Sequence, residues 1–253
     1  MKKLLFVLLL NCSVSVFSQS SLPYKLGEYS EFTIYFGPIE VGYADLEIIE
    51  MIKIENKNTF HIVGKGKTTL FFDWFFKVRD FYETYIDTST LLPLKFTREI
   101  SEGGHYINQK YKFFHNDSLV QTQDSVFNIP PNTQDMLSAL FYARTFNKPN
   151  LKQSNSFFIP IFMDNENYFL EIEYLYNDLL ETKWGMINCM VFKPKMQEGR
   201  VFEDGEQMKI WITDDFNHLL MKVETKIWAG IIKAVLTDYK SVKTPLLIIK
   251  TVK

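Results

Sequence analysis

EDGEQMKIWITDDFN, residues 203–217, sets Glu203, Asp204, Glu206, Asp214 and Asp215 around a single tryptophan. It reads either as an acid/base or metal site, or as a strand between two polar turns. The period decides. Met208, Ile210 and Ile212 point one way, and Lys209, Trp211 and Thr213 the other, which is the alternation of a β-strand with one core face. Eight strand positions separate Glu206 from Asp214, roughly 26 Å of extended chain. Paired glycosidase carboxyls stand about 5 to 9.5 Å apart, and acids that share a cation stand closer still. The two acidic groups therefore sit at opposite ends of one strand. DDFN reads as a turn, because Asp and Asn suit turn geometry.

The same pattern extends along the chain. HLLMKVET (218–225) and WAGIIKAVL (228–236) continue the hairpin series. Upstream, YSEFTIYF (29–36) is followed by the turn GPIEVG (37–42) and the alternating run YADLEIIEMIKI (43–54). ENKN (55–58) is a polar turn, and TFHIVGKGKTTLFF (59–72), DFYETYID, LKFTREI, YINQKYKFF and SLVQTQ follow with short breaks. An antiparallel meander produces this spacing. PPNTQDMLSALFYART (130–145) interrupts it. Two prolines precede Asn132 or Thr133 as N-cap, Asp135 falls in the first turn, and Met136, Leu140 and Ala143 recur at helical spacing. Arg144 lies in the last turn, where a cation suits the helix dipole. After the polar link KPNLKQSN (148–155), strands resume at SFFIPIFM, NYFLEIEYLY and INCMVFKP. The fold class is mostly β: a large curved antiparallel sheet or half-barrel-like sandwich with one central helix.

The chain opens MKKLLFVLLLNCSVSVFSQS. Lys2 and Lys3, an apolar run over Leu4–Leu10, and small residues before Gln19 read as a secretory signal peptide over residues 1–18, too short to span a bilayer. Asn11 stands before Cys12 where a lipoprotein signal has a small residue. Loss of Lys2 and Lys3 takes the formal net charge from −2 to about −4, a balance that does not favour nucleic acid. Cys189 is then the single cysteine, and its neighbours in GMINCMVFK suggest an inert buried strand position. Residues 19–253 are expected to form one β-rich domain, with two sheet lobes around the helix at 133–145 as the alternative. No later segment has the length of a transmembrane helix. Apolar content of 46% is ordinary for a globular protein, and aromatic content of 16% leans towards sheet.

His61, His105, His115 and His218 show no metal-ligand spacing, and no nucleophile elbow or phosphate-binding loop occurs. No catalytic residue, metal site or cofactor is assigned. GKGKTT (64–69) resembles a phosphate loop in composition only. The unusual segment is LFFDWFFKVRDFY (70–82). Read as a strand, it carries rings on both faces, so it is either buried on two sides or has one face that lines an apolar groove or contacts a membrane. Phe72, Trp74 and Phe76 form that second face. Trp211 extends it from its own strand, with Trp184 and Trp228 as further candidates, and Arg144 is a candidate ligand contact on the helix.

Three segments taken together resemble a known family: GPIEVGYADLEI (37–48), QDMLSALFYAR (134–144), and DGEQMKIWITDDFNHLLMKVETKIWAGIIKAVL (204–236). Their order is similar to that of the bacterial exported proteins grouped as domain of unknown function 3108. The resemblance implies a secreted or periplasmic protein with an extensively curved sheet. The family has no agreed reaction and no catalytic residues to carry over. Asp135 and Arg144 match recurring positions of its central helix.

The resulting expectation is an exported envelope protein that binds an apolar or amphiphilic ligand, such as a lipid or glycolipid, without catalysis. One alternative is a structural or assembly factor that pairs with other envelope proteins. The other is a glycan hydrolase whose acids converge from separate strands.

Overall fold

The computed structural model describes residues 22–146, 155–196 and 207–249. The expected signal peptide, most of the polar link at 148–155, and Glu203, Asp204 and Glu206 lie outside them.

The first half is a meander of eight strands: β1 (Tyr29–Phe36), β2 (Ile39–Ile54), β3 (Lys57–Thr68), β4 (Val78–Asp87), β5 (Pro93–Glu102), β6 (His105–Phe114), β7 (Leu119–Gln121) and β8 (Val126–Asn128). A helix, α1 (Met136–Ala143), follows. The second half adds β9 (Ser156–Met163), β10 (Glu166–Thr182), β11 (Gly185–Met196), β12 (Gln207–Thr213), β13 (Leu220–Ile227), β14 (Gly230–Lys240) and the short β15 (Ile248–Ile249). All belong to one antiparallel sheet in the order β8-β7-β6-β5-β4-β3-β2-β1-β14-β13-β12-β11-β10-β9, with β15 beside β11. The first strand thus pairs with β14 and joins the two halves edge to edge.

Local chemistry fixes this register. Glu55 and Asn56 both take positive φ between Ile54 and Lys57, as do Asp164 and Asn165 between Met163 and Glu166. Two consecutive left-handed residues make the tight hairpin turn whose twist suits the flanking strands, and Asn and Asp tolerate it. Register shifts at Glu31/Phe32, Ile48/Glu50 and Tyr174/Tyr176 add local twist and bend.

The sheet rolls until its two edges face each other, but it does not close by strand pairing. A seam of other contacts joins them. Gln134 bridges β9 through its backbone: its N–H donates to the Pro160 carbonyl at 2.8 Å, and its carbonyl accepts from Phe162 at 2.9 Å. Phe162 inserts among Phe96, Tyr111, Phe113 and Val120 of the first half. Asp164 accepts from Arg98 and from Gln109, each at 3.0 Å, and the Asn167 amide donates to the Asn128 carbonyl at 2.8 Å.

The helix occupies the hollow. MLSALFYA is apolar on every side except at Ser138, and a helix apolar all round must be enclosed. Phe141 packs with Tyr24, Ile48 and Ile62, Ala139 packs with Ile159 and Met190, and Met136 and Leu137 reach the seam cluster. The helix is therefore wrapped by the sheet, not amphipathic as its spacing suggested. It is also shorter at its start. Asp135 is the N-cap, accepting from the Leu137 and Ser138 amides, while Ser138 Oγ accepts from the Asp135 amide at 2.9 Å. Thr133, one of the two expected caps, instead donates its hydroxyl to the Pro130 carbonyl at 2.7 Å.

The aromatic run does not form a strand. Phe72–Trp74 is a 3₁₀ turn in the loop between β3 and β4, and alternation ends at Thr68. Asp73 is the reason. Its carboxylate accepts from the Thr68 hydroxyl at 2.6 Å and pairs with Arg79 at 2.5 Å, which folds the intervening rings into a tight loop.

Candidate functional site

Between α1 and strands β9–β12 lies a cavity of about 250 Å³. Ala139 and Ala143, one helical turn apart, leave space on the helix side. Phe157 and Ile161 of β9 and Ile210 and Ile212 of β12 face them across the gap. Protein interiors are packed densely, with few voids larger than a water molecule. An apolar void of about 150 Å³ stays dry and takes up benzene, so this one has room for a larger apolar group. Arg144 is the one charged residue in its described wall.

Arg144 is already engaged. Its guanidinium forks onto Glu28, with contacts of 2.5 and 3.1 Å, and donates to the Asn217 carbonyl at 2.9 Å. Both charged side chains are 4% exposed. The cation also stands over the Tyr24 and Phe141 rings. It therefore fastens the helix end to the N-terminal segment and to the β12–β13 turn. At the other helix end, burial pushes the Asp135 carboxyl up to about 6, although Thr84 and the two capping amides lower it.

The sequence candidates do not converge. Phe72, Trp74 and Phe76 are on the loop after β3. Trp211 is 4% exposed and packs with Val191, Cys189 and Met221. Its indole N–H donates to Asp178 at 2.8 Å, and the Lys222 ammonium lies 3.7 Å from its ring centre. The strand β12 is thus covered on both faces, not on one. Its Met208, Ile210 and Ile212 line the cavity. Sequence reasoning named Met136 and Ala143 only as helix core, and it missed the facing Ile161. The available signal was two alanines at i and i+4 in an otherwise bulky helix.

The acids behave as turn residues where they are described. Asp214 accepts from the Asn177 and Asn188 amides, each at 2.9 Å, and Asp215 accepts from the Thr213 hydroxyl at 2.7 Å and the Asn217 amide at 2.9 Å. A second, more polar groove runs over β3–β6 past Lys65, Lys67, Arg79, Asp80 and Tyr106. Burial and the hydrogen-bonded Glu102 carboxyl raise Asp80 to about 6. Carboxyls in direct contact are closer than the 5 to 9.5 Å or so that glycoside hydrolysis uses. Among the described residues, no group of three or more His, Cys, Asp or Glu side chains is placed to hold a metal ion. Burial pushes the Cys189 thiol up to about 12, as expected for an inert core cysteine.

The sequence matches the family described as "Protein of unknown function (DUF3108)" over residues 31–237. The chain belongs to the DUF3108 family. The match spans the joined halves of the sheet and the central helix. No curated protein matches this DUF3108 chain. A crystal structure of a β-barrel-like protein of domain of unknown function DUF1849 from Brucella abortus aligns over 87% of this chain and 99% of its own, with 7% identity and a TM-score of 0.56. That likeness concerns the fold. A Bacteroides fragilis protein inferred to be exported, with a YmcC-like fold, aligns over 87% of this chain and 98% of its own at 10% identity, with a TM-score of 0.33. A Parabacteroides distasonis protein inferred to be a lipoprotein aligns over 87% and 97% at 11% identity, with a TM-score of 0.36. Scores this low carry no argument about the DUF3108 chain. Among its described residues, no helix is long and apolar enough to cross a membrane.

Proposed function

We propose that this DUF3108 protein is an exported envelope protein that binds an apolar or amphiphilic molecule, such as the acyl portion of a lipid or glycolipid, in the cavity between α1 and β9–β12. The cavity carries the reading: its described wall is almost wholly hydrocarbon and thioether, and it has room for a sizeable apolar group. Binding would be driven by removal of apolar surface from water and would need no reacting group. The basic, apolar and small-residue order of the first eighteen residues supports export.

The test is titration with the environment-sensitive dye 1-anilinonaphthalene-8-sulfonate, followed by displacement with a fatty acid. The protein is expected to enhance the dye's emission, and the fatty acid to reverse the effect. Ala143→Leu adds a branched side chain to the cavity wall, and should weaken dye and fatty-acid binding by about tenfold or more while leaving the unfolding midpoint unchanged or higher. Equal binding by the parent and by Ala143→Leu would remove the cavity from the account.

A further inference from the structure

One end of the rolled sheet displays an apolar rim. The strand registers place the β1–β2 turn, the β3–β4 loop, the β5–β6 turn and the β13–β14 turn at this same end: Phe36 pairs with both Ile39 and Ile232, Gly42 with Thr68, Glu102 with both Val78 and His105, and Ile227 with Gly230. The tips are bare hydrophobes. Leu70 is 89% exposed, Trp74 83% and Trp228 99%, with Phe71, Phe75 and Ile39 exposed beside them. Such a patch is not core.

The loop that carries the rings is pinned at its base. Asp73, the carboxylate within the loop, is clamped by Arg79 and Thr68, and these hydrogen bonds hold it down to about 2. The Phe76 ring lies against the β5–β6 turn so closely that a Cβ on Gly103 would collide with it. Gly103 also has φ +55, a conformation that glycine adopts without steric cost. Behind the tips stand Lys67, Lys77 and Lys226, all exposed. Of the acids at this end, Asp73 is paired with Arg79, Glu40 accepts from the Tyr43 hydroxyl, and Asp80 and Glu102 stand against each other, set back from the tips. Apolar tips with tryptophan, backed by lysines at or beside the strand ends, match the layering of a bilayer surface: hydrocarbon boundary first, anionic headgroups next.

We infer that this rim docks the protein on the surface of an anionic lipid bilayer, with Trp74, Phe75 and Trp228 inserted at the headgroup boundary and the lysines against lipid phosphates. The inference does not depend on what the cavity holds.

Flotation with vesicles of phosphatidylethanolamine and phosphatidylglycerol tests it. The chain from Gln19, the start expected after signal-peptide cleavage, contains every described element and omits the apolar Leu4–Leu10 run, which could bind vesicles by itself; its circular dichroism is compared with that of the full chain first. This chain is expected to float with the vesicles, to shift its tryptophan emission to the blue, and to be quenched by brominated lipid. Binding should weaken on pure phosphatidylcholine and in high salt. Trp74→Ala combined with Phe75→Ala should reduce partitioning at least about tenfold, and Trp228→Ala, on a separate hairpin, should reduce it independently. A chain that stays in the aqueous fractions overturns the inference. So do variants that float like the parent, and so does self-association of the parent that the substitutions abolish without any vesicle binding, which would assign the rim to a second copy of the chain.

Discussion

Arg144→Ala is expected to lower the stability of this protein by about 3–5 kcal/mol, read from urea unfolding. The substitution leaves Glu28 buried without its forked partner, and it also removes the donor to the Asn217 carbonyl. A buried charge stripped of its partner is far more costly than an absent pair, because its desolvation is no longer offset. Three parts of the chain then lose their common fastening: the N-terminal segment at Pro23–Glu28, the end of α1, and the β12–β13 turn. The paired substitution Glu28→Leu with Arg144→Met should recover much of the loss, since it removes both charges together. Arg144→Lys should not, because an ammonium cannot serve the carboxylate fork and the carbonyl in the same geometry. A loss below about 1 kcal/mol for Arg144→Ala would show that the pair is not the fastening described.

Phe162→Ala should have an effect of similar size, about 3–5 kcal/mol, because it empties a fully buried aromatic site. Phe162 belongs to an edge strand of the sheet, yet its ring meets Tyr111 edge-on at 5.1 Å and lies 5.4 Å from Phe127. Those partners are on β6 and β8, across the seam, so the cavity left by alanine would open it. Amide exchange in β8 and β9 should accelerate together in the variant. Phe158→Ala on the same strand is the control: that side chain is 51% exposed, and its removal should change stability by only about 0.5 kcal/mol. Comparable losses at both positions, or protection of β8 unchanged in Phe162→Ala, would mean that the seam does not join the edges.

Most strands were legible in the sequence because their physics is local. Alternation marked β1, β2 and β12, and Asn- and Asp-bearing turns set the hairpins at 55–56 and 164–165. The central helix was legible too, but its first residue was not. Asn132 and Thr133 look like caps until Thr133 is seen to bond back to Pro130, which hands the capping role to Asp135. The run from Leu70 failed as a strand for a different reason. Rings on both sides give no period to read, and the Asp73–Arg79 pair that folds the loop spans a gap that no pattern shows. Trp211 was assigned to an open face, because a single strand does not reveal that β11 and β13 neighbours bury both of its sides. The cavity was the least legible feature. Its walls come from one helix and four strands, and only the small residues Ala139 and Ala143 on an otherwise bulky helix hint at it.

The most direct test of ligand binding is native mass spectrometry of the protein purified gently from its own host, followed by organic extraction. The expected result is a discrete apolar or amphiphilic mass bound to the parent chain, and its loss from Ala143→Leu purified in the same way. A parent chain that emerges empty, or a bound mass that Ala143→Leu retains in full, would contradict the assignment of the cavity as the binding site.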